Sequence, residues 1–293
     1  MRNRIGKRLE GIQAAAGIAL QRLREAALDR PLRPGAAIGG RYRVERVLGI
    51  GSYGISYLCA DLHDEGAPCV VKQVKPSKRG GRKGKPIFER EAATLAALDH
   101  PGVPKLLGRF RERRDLFLVM EYKRGRNLED VLFADERTFA LPEALRLLRR
   151  LSDIVAYVHR AGFVHRDIRI PNVMLREDGT LALIDFGLAC PVSDEPVDGE
   201  ETERYAEEKR IRREPVAASD FYALGHFLLF LLYAEFEPKE NEPERGWEEE
   251  LDLPSGVRRF IRRLLQLDEP FGDIGEVVRE LDRLIEQTPA KPE

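Results

Sequence analysis

Cysteine, tryptophan and methionine are scarce in this 293-residue chain, which contains three cysteines, one tryptophan and three methionines. The cysteines, Cys59, Cys69 and Cys190, are too few for a disulfide scaffold, and their spacing does not suggest a zinc site. This usage fits a reducing compartment, so we expect the protein to be cytoplasmic.

Net charge and long apolar runs are also lacking. Lys and Arg together number 49 against 50 Asp and Glu, so the overall charge gives no argument for nucleic-acid binding. The longest apolar stretch, residues 221–236, is shorter than the roughly 20 residues of a membrane span and contains a histidine. It predicts a buried helix, and the protein is not expected to be transmembrane. The basic start is not followed by a continuous apolar region, which argues against a secretory signal.

The residue patterns divide the chain into three regions. Residues 1–40 form a basic, amphipathic segment that ends in a linker rich in proline and glycine. Residues 41–121 predict five strands and one helix, and residues 122–293 are mainly helical. The predicted fold class is therefore α+β with two lobes.

The first of these lobes carries two candidate groups for phosphate binding. Gly49, Gly51 and Gly54 lie in GIGSYG between two predicted strands, where glycines let backbone amides approach a phosphate. A strand follows this motif, which argues against a dinucleotide fingerprint. Lys72 lies within an apolar strand and needs a partner if it is buried; Glu91 on the next helix is the candidate, with Glu89 as its competitor.

Two further motifs follow in the second lobe. HRDIRIPN contains Asp167, Arg169 and Asn172, and DFG begins at Asp185. Two aspartates and an asparagine supply the hard oxygen ligands that magnesium requires.

In this order, the four motifs resemble those of the protein kinases, in particular the bacterial, eukaryotic-type (Hanks-type) Ser/Thr group. The resemblance covers residues 42–286 and implies a bilobal fold, with a five-stranded antiparallel sheet and one helix in an N-lobe at 41–121. The C-lobe at 122–293 is mainly helical. The implied reaction is transfer of the γ-phosphate of ATP, with Mg²⁺, to Ser or Thr hydroxyls of a protein substrate.

The resemblance also implies a role for each matching residue. Lys72, fixed by Glu91, would hold the ATP phosphates beneath the glycine loop, and Asp167 would accept the proton of the substrate hydroxyl. Asn172 and Asp185 would hold magnesium. Arg169 stands where Ser/Thr kinases usually have lysine and would be catalytic. The adenine would be bound by Val70, Met120, Glu121, Lys123 and Met174.

Two departures from the family pattern qualify this interpretation. Arg169 blurs the distinction between Ser/Thr and Tyr kinases. The usual A-P-E motif is reduced to REP at residues 213–215, and only four residues separate it from Asp220. This shortened region places the peptide-docking surface in doubt. The acids of residues 194–203 could replace an activating phosphate by pairing with Arg166, although a solvated charged loop is the simpler interpretation.

Other functions remain open. A pseudokinase that binds nucleotide as a regulatory module, or a kinase for a small molecule or lipid, would share the same motifs. The basic loop 75–86 and the N-terminal segment could contact a partner or an anionic surface. No aromatic residue interleaves that loop, so specific nucleic-acid binding is not expected, and a nucleic-acid scaffold is the weakest alternative.

Overall fold

The structure is a computed structural model of the chain. It describes residues 28–79, 84–192, 211–234, 236 and 245–288. The chain forms two compact units. The first unit contains the described residues up to Ala92 together with Leu106–Tyr122, and the second contains Ala93–Lys105 and the described residues from Lys123 onward.

A six-stranded antiparallel sheet forms most of the first unit. In chain order its strands are β1 (Ala37–Ile38), β2 (Tyr42–Ile50), β3 (Gly54–Asp61), β4 (Ala67–Val74), β5 (Leu106–Glu112) and β6 (Asp115–Glu121). They lie side by side in the order β1-β2-β3-β4-β6-β5. The helical parts of this unit are a 3₁₀ turn, Pro76–Lys78, and the first part of helix α1, Gly84–Ala97.

The sheet has one strand more than the five that the sequence predicts. The additional strand, β1, is two residues long, and Ile38 pairs with Tyr42 on β2. The turn between them places Gly39 and Gly40 at φ angles of 60° and 67°, which glycine adopts without strain. A two-residue strand beside two glycines shows no alternating pattern, so periodicity could not detect it.

One face of this sheet holds an apolar core. Its buried members are Ile38, Tyr42, Val44, Ile55, Tyr57, Cys59, Cys69, Val71, Phe117 and Val119. Leu32 and Ala36, which precede the first strand, pack against this cluster. The N-terminal part of the described chain therefore covers one face of the sheet.

The second unit is mainly helical. Its helices are α2 (Leu128–Phe133), α3 (Leu141–Arg160), α4 (Ala217–Tyr233), α5 (Trp247–Glu250), α6 (Ser255–Leu264) and α7 (Ile274–Gln287). Helix α3 packs against α4 and α7, and α6 packs against α4. Helix α4 is buried along most of its length, as the apolar run predicts. Among the helices that the structure describes, none combines the length and apolar character needed to cross a membrane.

Short strands of the second unit frame its loops. Strands β7 (Arg126–Asn127), β9 (Val173–Leu175) and β10 (Leu181–Leu183) form one small sheet. Strand β8 (Phe163–Val164) pairs with β11 (Cys190–Pro191). A second 3₁₀ turn, Ile170–Asn172, leads into β9. These elements hold the HRDIRIPN and DFG segments between short pieces of regular structure.

Candidate active site

The glycine motif lies at the turn between β2 and β3. The Gly51 amide donates a hydrogen bond to the Gly54 carbonyl over 2.9 Å and closes this turn. A Cβ atom added at Gly54 would lie 3.1 Å from the Gln73 carbonyl oxygen and 3.3 Å from Cε of Lys72. At Gly49 the added atom would meet nothing within 4 Å. Gly54 is therefore the glycine that leaves room for the Lys72 side chain.

Lys72 on β4 forms an ion pair with Glu91 on α1. Its Nζ atom lies 2.7 Å and 2.9 Å from the two carboxylate oxygens. Glu91 is only 3% exposed. The competitor, Glu89, pairs instead with Arg109 at 2.6 Å, and both side chains of that pair are about half exposed. A buried charge needs a partner of this kind, so the Lys72–Glu91 contact fixes both side chains.

The residues implied for adenine binding are divided between the two units. Val70 and Met120 face each other in the pairing of β4 with β6, and Glu121 ends β6. Met174 lies on β9 in the second unit. Lys123 is buried, and its Nζ atom donates a hydrogen bond to the Pro101 carbonyl over 3.0 Å. No pattern in the sequence indicates this inward orientation of Lys123.

Asp167 and Asn172 are joined in the loop between β8 and β9. The Asn172 amide donates to the backbone carbonyl and to the carboxylate of Asp167, each over 2.8 Å. Nε of Arg169 lies 3.4 Å from the same carboxylate oxygen, and the Arg169 side chain is 55% exposed. This loop therefore presents one oriented carboxylate beside one exposed cation.

A buried carboxylate on α4 anchors this loop. Asp220 is fully buried and accepts hydrogen bonds from the backbone amides of His165 and Arg166, each over 2.8 Å. Nε2 of His159 lies 2.8 Å from the same side chain. Burial alone raises the pKa of Asp220, but the His159 contact and the backbone hydrogen bond from His165 outweigh it, and the pKa is lowered. His159 and Asp220 are 61 residues apart in the sequence, so no local pattern indicates this contact.

The DFG segment follows the β9–β10 hairpin directly. The Ile184 amide donates to the Asn172 carbonyl over 2.8 Å, so Asp185 and Asn172 leave the same end of this hairpin. Asp185 has a φ angle of 63°, in the left-handed region that non-glycine residues rarely adopt and that is common in active sites. The Phe186 ring packs edge-on against His165, with ring centroids 4.6 Å apart. Burial lowers the pKa of His165, which favours the neutral ring.

Two regions singled out in the sequence are described only in part. The acids of residues 194–203 lie outside the described residues. Their expected partner, Arg166, is buried and donates to the Leu188 carbonyl and toward Sγ of Cys190, each over 3.4 Å. In the basic loop 75–86, residues 80–83 also lie outside the described part. Arg79 pairs with Asp115 at 2.6 Å.

The shortened docking region is visible in the described chain. Helix α4 begins at Ala217, two residues after Pro215, and the Ser219 hydroxyl donates to the Glu214 carbonyl over 2.5 Å. The chain therefore passes from REP directly into the helix that carries Asp220.

Comparison with known proteins gives consistent matches. The family model described as the protein kinase domain matches residues 42–280. A probable serine/threonine-protein kinase, YbdM of Bacillus subtilis, is 35% identical over 269 residues, which cover 92% of this chain and 99% of that relative. Serine/threonine-protein kinase B of Synechocystis is 33% identical over 253 residues, and the match covers 78% of this chain but 44% of that relative.

A solved structure supports the fold. The kinase domain of Mycobacterium tuberculosis PknI matches with a TM-score of 0.63 at 22% identity, over 86% of this chain and 99% of that one. The bilobal kinase fold expected from the sequence is thereby confirmed, apart from the additional strand. Because the family model spans most of the chain and a relative of similar length is 35% identical, the chain belongs to the protein kinase family, in its bacterial Hanks-type serine/threonine group.

Proposed function

We propose that the protein transfers the γ-phosphoryl group of ATP to Ser or Thr hydroxyls of a protein substrate, with Asp167 as the catalytic base. The observation that carries this assignment is the pair of oriented contacts at Lys72–Glu91 and Asp167–Asn172. A pseudokinase is expected to lack one of these groups, so the pseudokinase alternative is not favoured. Most of the catalysis is positioning and electrostatic stabilisation, because phosphoryl transfer asks little covalent chemistry of the protein.

The first unit supplies the groups that bind ATP. Lys72 holds the α- and β-phosphates because Glu91 fixes its ammonium group at 2.7 Å. Gly49, Gly51 and Gly54 let the backbone of the turn approach the phosphates. Val70 and Met120, neighbours across two strands, provide apolar contact for the adenine ring, and Glu121 lies beside them for a backbone hydrogen bond. The roles of Lys123 and Met174 in adenine binding stay predictions of the resemblance.

The second unit supplies the transfer chemistry. Asn172 holds one carboxylate oxygen of Asp167. The other carboxylate oxygen is thereby oriented to accept the proton of the substrate hydroxyl while the hydroxyl oxygen attacks phosphorus. Arg169, whose Nε lies 3.4 Å from that carboxylate, adds a positive charge where negative charge develops on the transferred group.

Asn172 and Asp185 fit a magnesium site by their chemistry. Both Asn172 hydrogen bonds to Asp167 use the amide nitrogen, which leaves the amide oxygen as a hard ligand. Asp185 adds a carboxylate at the same end of the hairpin. Magnesium commonly binds one or two protein oxygens together with substrate phosphates and water, so this small donor set suffices. When bound, magnesium neutralises charge on the phosphates of ATP.

The remaining predictions concern location and contacts. We propose a cytoplasmic protein whose cysteines stay reduced: burial raises the pKa of Cys59 to about 12 and of Cys69 to about 11, so neither thiol is readily ionised. The division of the chain at residues 40 and 121 also stays a prediction. It also stays a prediction that residues 1–40 and the basic loop 75–86 contact a partner or an anionic surface.

The experiment that tests the function is phosphate transfer from γ-labelled ATP to a generic protein substrate such as casein. We expect label on Ser or Thr with wild type and with the exposed-site control Asp252→Asn, and none with Asp167→Asn. Label on Tyr would overturn the acceptor class. Label on a small hydroxyl compound or lipid but never on protein would overturn the protein-kinase assignment.

A further inference from the structure

The N-terminal arm, residues 29–38, is tied to the connection that joins the Lys72 strand to the Glu91 helix. We propose that Asp29 in this arm is a positioning residue for the Lys72–Glu91 ion pair. This inference deepens the proposed function and rests on it, since the ion pair is assigned there to ATP binding.

The first contact is between Asp29 and the 3₁₀ turn Pro76–Lys78. One Asp29 carboxylate oxygen accepts the Ser77 backbone amide over 2.8 Å, and the other accepts the Ser77 hydroxyl over 2.7 Å. The turn has no side-chain cap of its own. A partly buried carboxylate that accepts two hydrogen bonds from one residue fixes both the position and the orientation of this turn.

The second contact is between this turn and its two neighbours. A Cβ atom added at Gly84, the first residue of α1, would clash with the Lys78 carbonyl oxygen, so the turn packs directly against the start of the helix. On the other side, the Lys75 amide donates to the carbonyl of Tyr53 in the glycine turn over 2.8 Å. A displacement of the turn would therefore reach both α1 and the glycine motif.

The third step runs along α1. Glu91 follows Gly84 by seven residues, which places both on one face of the helix, two turns apart. A helix moves as a rigid element over this distance, so a shift at Gly84 changes where the Glu91 carboxylate meets Lys72. Strand β4 is paired along both edges, which fixes the backbone of Lys72. The position of α1 therefore decides the geometry of the ion pair.

The arm itself is held firmly enough to act as a support. The Leu32 amide donates to the Tyr57 hydroxyl over 3.2 Å, and that hydroxyl donates to Gln73 over 3.0 Å. Gln73 is the immediate neighbour of Lys72. Leu32, Ala36 and the buried Ile38 pack on the apolar core of the sheet. Through Asp29, the arm therefore holds the 3₁₀ turn after β4 against the sheet that carries Lys72.

The test compares Asp29→Ala with Asp64→Ala, an exposed aspartate on the β3–β4 turn of the same unit. For Asp29→Ala we expect the KM for ATP to rise about fivefold to tenfold, with a smaller change in the KM for the protein substrate. Ser77→Ala keeps the backbone hydrogen bond, so it should show a smaller rise and provides a milder variant if Asp29→Ala folds poorly. Asp64→Ala should match wild type.

A double-mutant cycle separates positioning from general destabilisation. The dissociation constant for ATP is measured in all four variants: Asp29→Ala should raise it about fivefold to tenfold in the wild-type background but less than twofold in a Glu91→Gln background, where the ion pair is already lost. The same rise in both backgrounds, or an unchanged KM in both Asp29→Ala and Ser77→Ala, would overturn the inference. Wild type that transfers no phosphate would instead contradict the proposed function, so the two failures are distinguishable.

Discussion

Two ion pairs of the first unit contain a glutamate of helix α1, and they differ in burial. Glu91, 3% exposed, is held by Lys72, whereas Glu89 and Arg109 are about half exposed. Solvent screens an exposed pair, so its contribution to stability is about 0–1 kcal/mol. Removing one partner of a buried pair leaves an uncompensated charge and costs about 3–5 kcal/mol.

This contrast predicts the effects of two matched substitutions. Lys72→Met should lower kcat/KM for ATP about 100-fold, because it removes the ammonium group proposed to bind the ATP phosphates. It should also lower the free energy of unfolding. Arg109→Met should change both quantities little. Steady-state kinetics and urea unfolding measure them; similar stability losses for both variants would contradict the burial argument.

The glycines of the turn between β2 and β3 are predicted to differ in their tolerance of a methyl group. Gly54→Ala places Cβ against the Lys72 side chain and the Gln73 carbonyl, so we expect the KM for ATP to rise about tenfold. In Gly49→Ala the added Cβ meets no atom within 4 Å, so the KM for ATP should change little. An unchanged KM for Gly54→Ala would show that Lys72 relocates without loss.

At the scale of elements, strand β1 belongs to the core although it has only two residues. Ile38 is 1% exposed, whereas Ile50 at the end of β2 is 55% exposed. Ile38→Ala should lower the free energy of unfolding by about 2–4 kcal/mol, because it leaves a cavity in the sheet core. Ile50→Ala should lower it by less than about 0.5 kcal/mol. Equal losses in urea unfolding would contradict the assignment of β1 to the core.

Helix α4 is predicted to hold the catalytic loop through Asp220. Asp220→Asn replaces an acceptor of backbone hydrogen bonds, so we expect a lower melting temperature and a loss of phosphate transfer of at least tenfold. Because the pKa of Asp220 is lowered in the folded state, its contribution is complete above the ordinary value of 3.8 and is lost as pH falls through the lowered pKa. The stability difference between wild type and Asp220→Asn should therefore shrink below about pH 4. A difference that grows in acid would contradict this sign.

The elements also show what could be predicted from the sequence. The glycine motif, Lys72 and HRDIRIPN are local patterns, and apolar periodicity indicated the main strands and helices. The contacts that fix these groups are not local: Asp29 and Ser77 are 48 residues apart, and His159 and Asp220 are 61 apart. Such contacts leave no periodic signal in one sequence, so the arm, the inward Lys123 and the His159 contact needed the structure.

In the whole molecule, the groups proposed for ATP binding and those proposed for phosphate transfer lie in different units. The first holds the glycine motif and the Lys72–Glu91 pair, and the second holds Asp167, Asn172 and Asp185. Substitutions in the first unit should therefore alter mainly ATP binding, whereas substitutions in the catalytic loop should alter mainly the transfer step.

A single-turnover measurement separates ATP binding from phosphate transfer. Enzyme in excess is mixed with γ-labelled ATP, magnesium and a protein substrate, and bound nucleotide and labelled protein are followed together in wild type and Asp167→Asn. We expect Asp167→Asn to bind ATP within about threefold of wild type but to transfer phosphate at least 100-fold more slowly. Transfer by Asp167→Asn at the wild-type rate would contradict the assignment of Asp167 as the base.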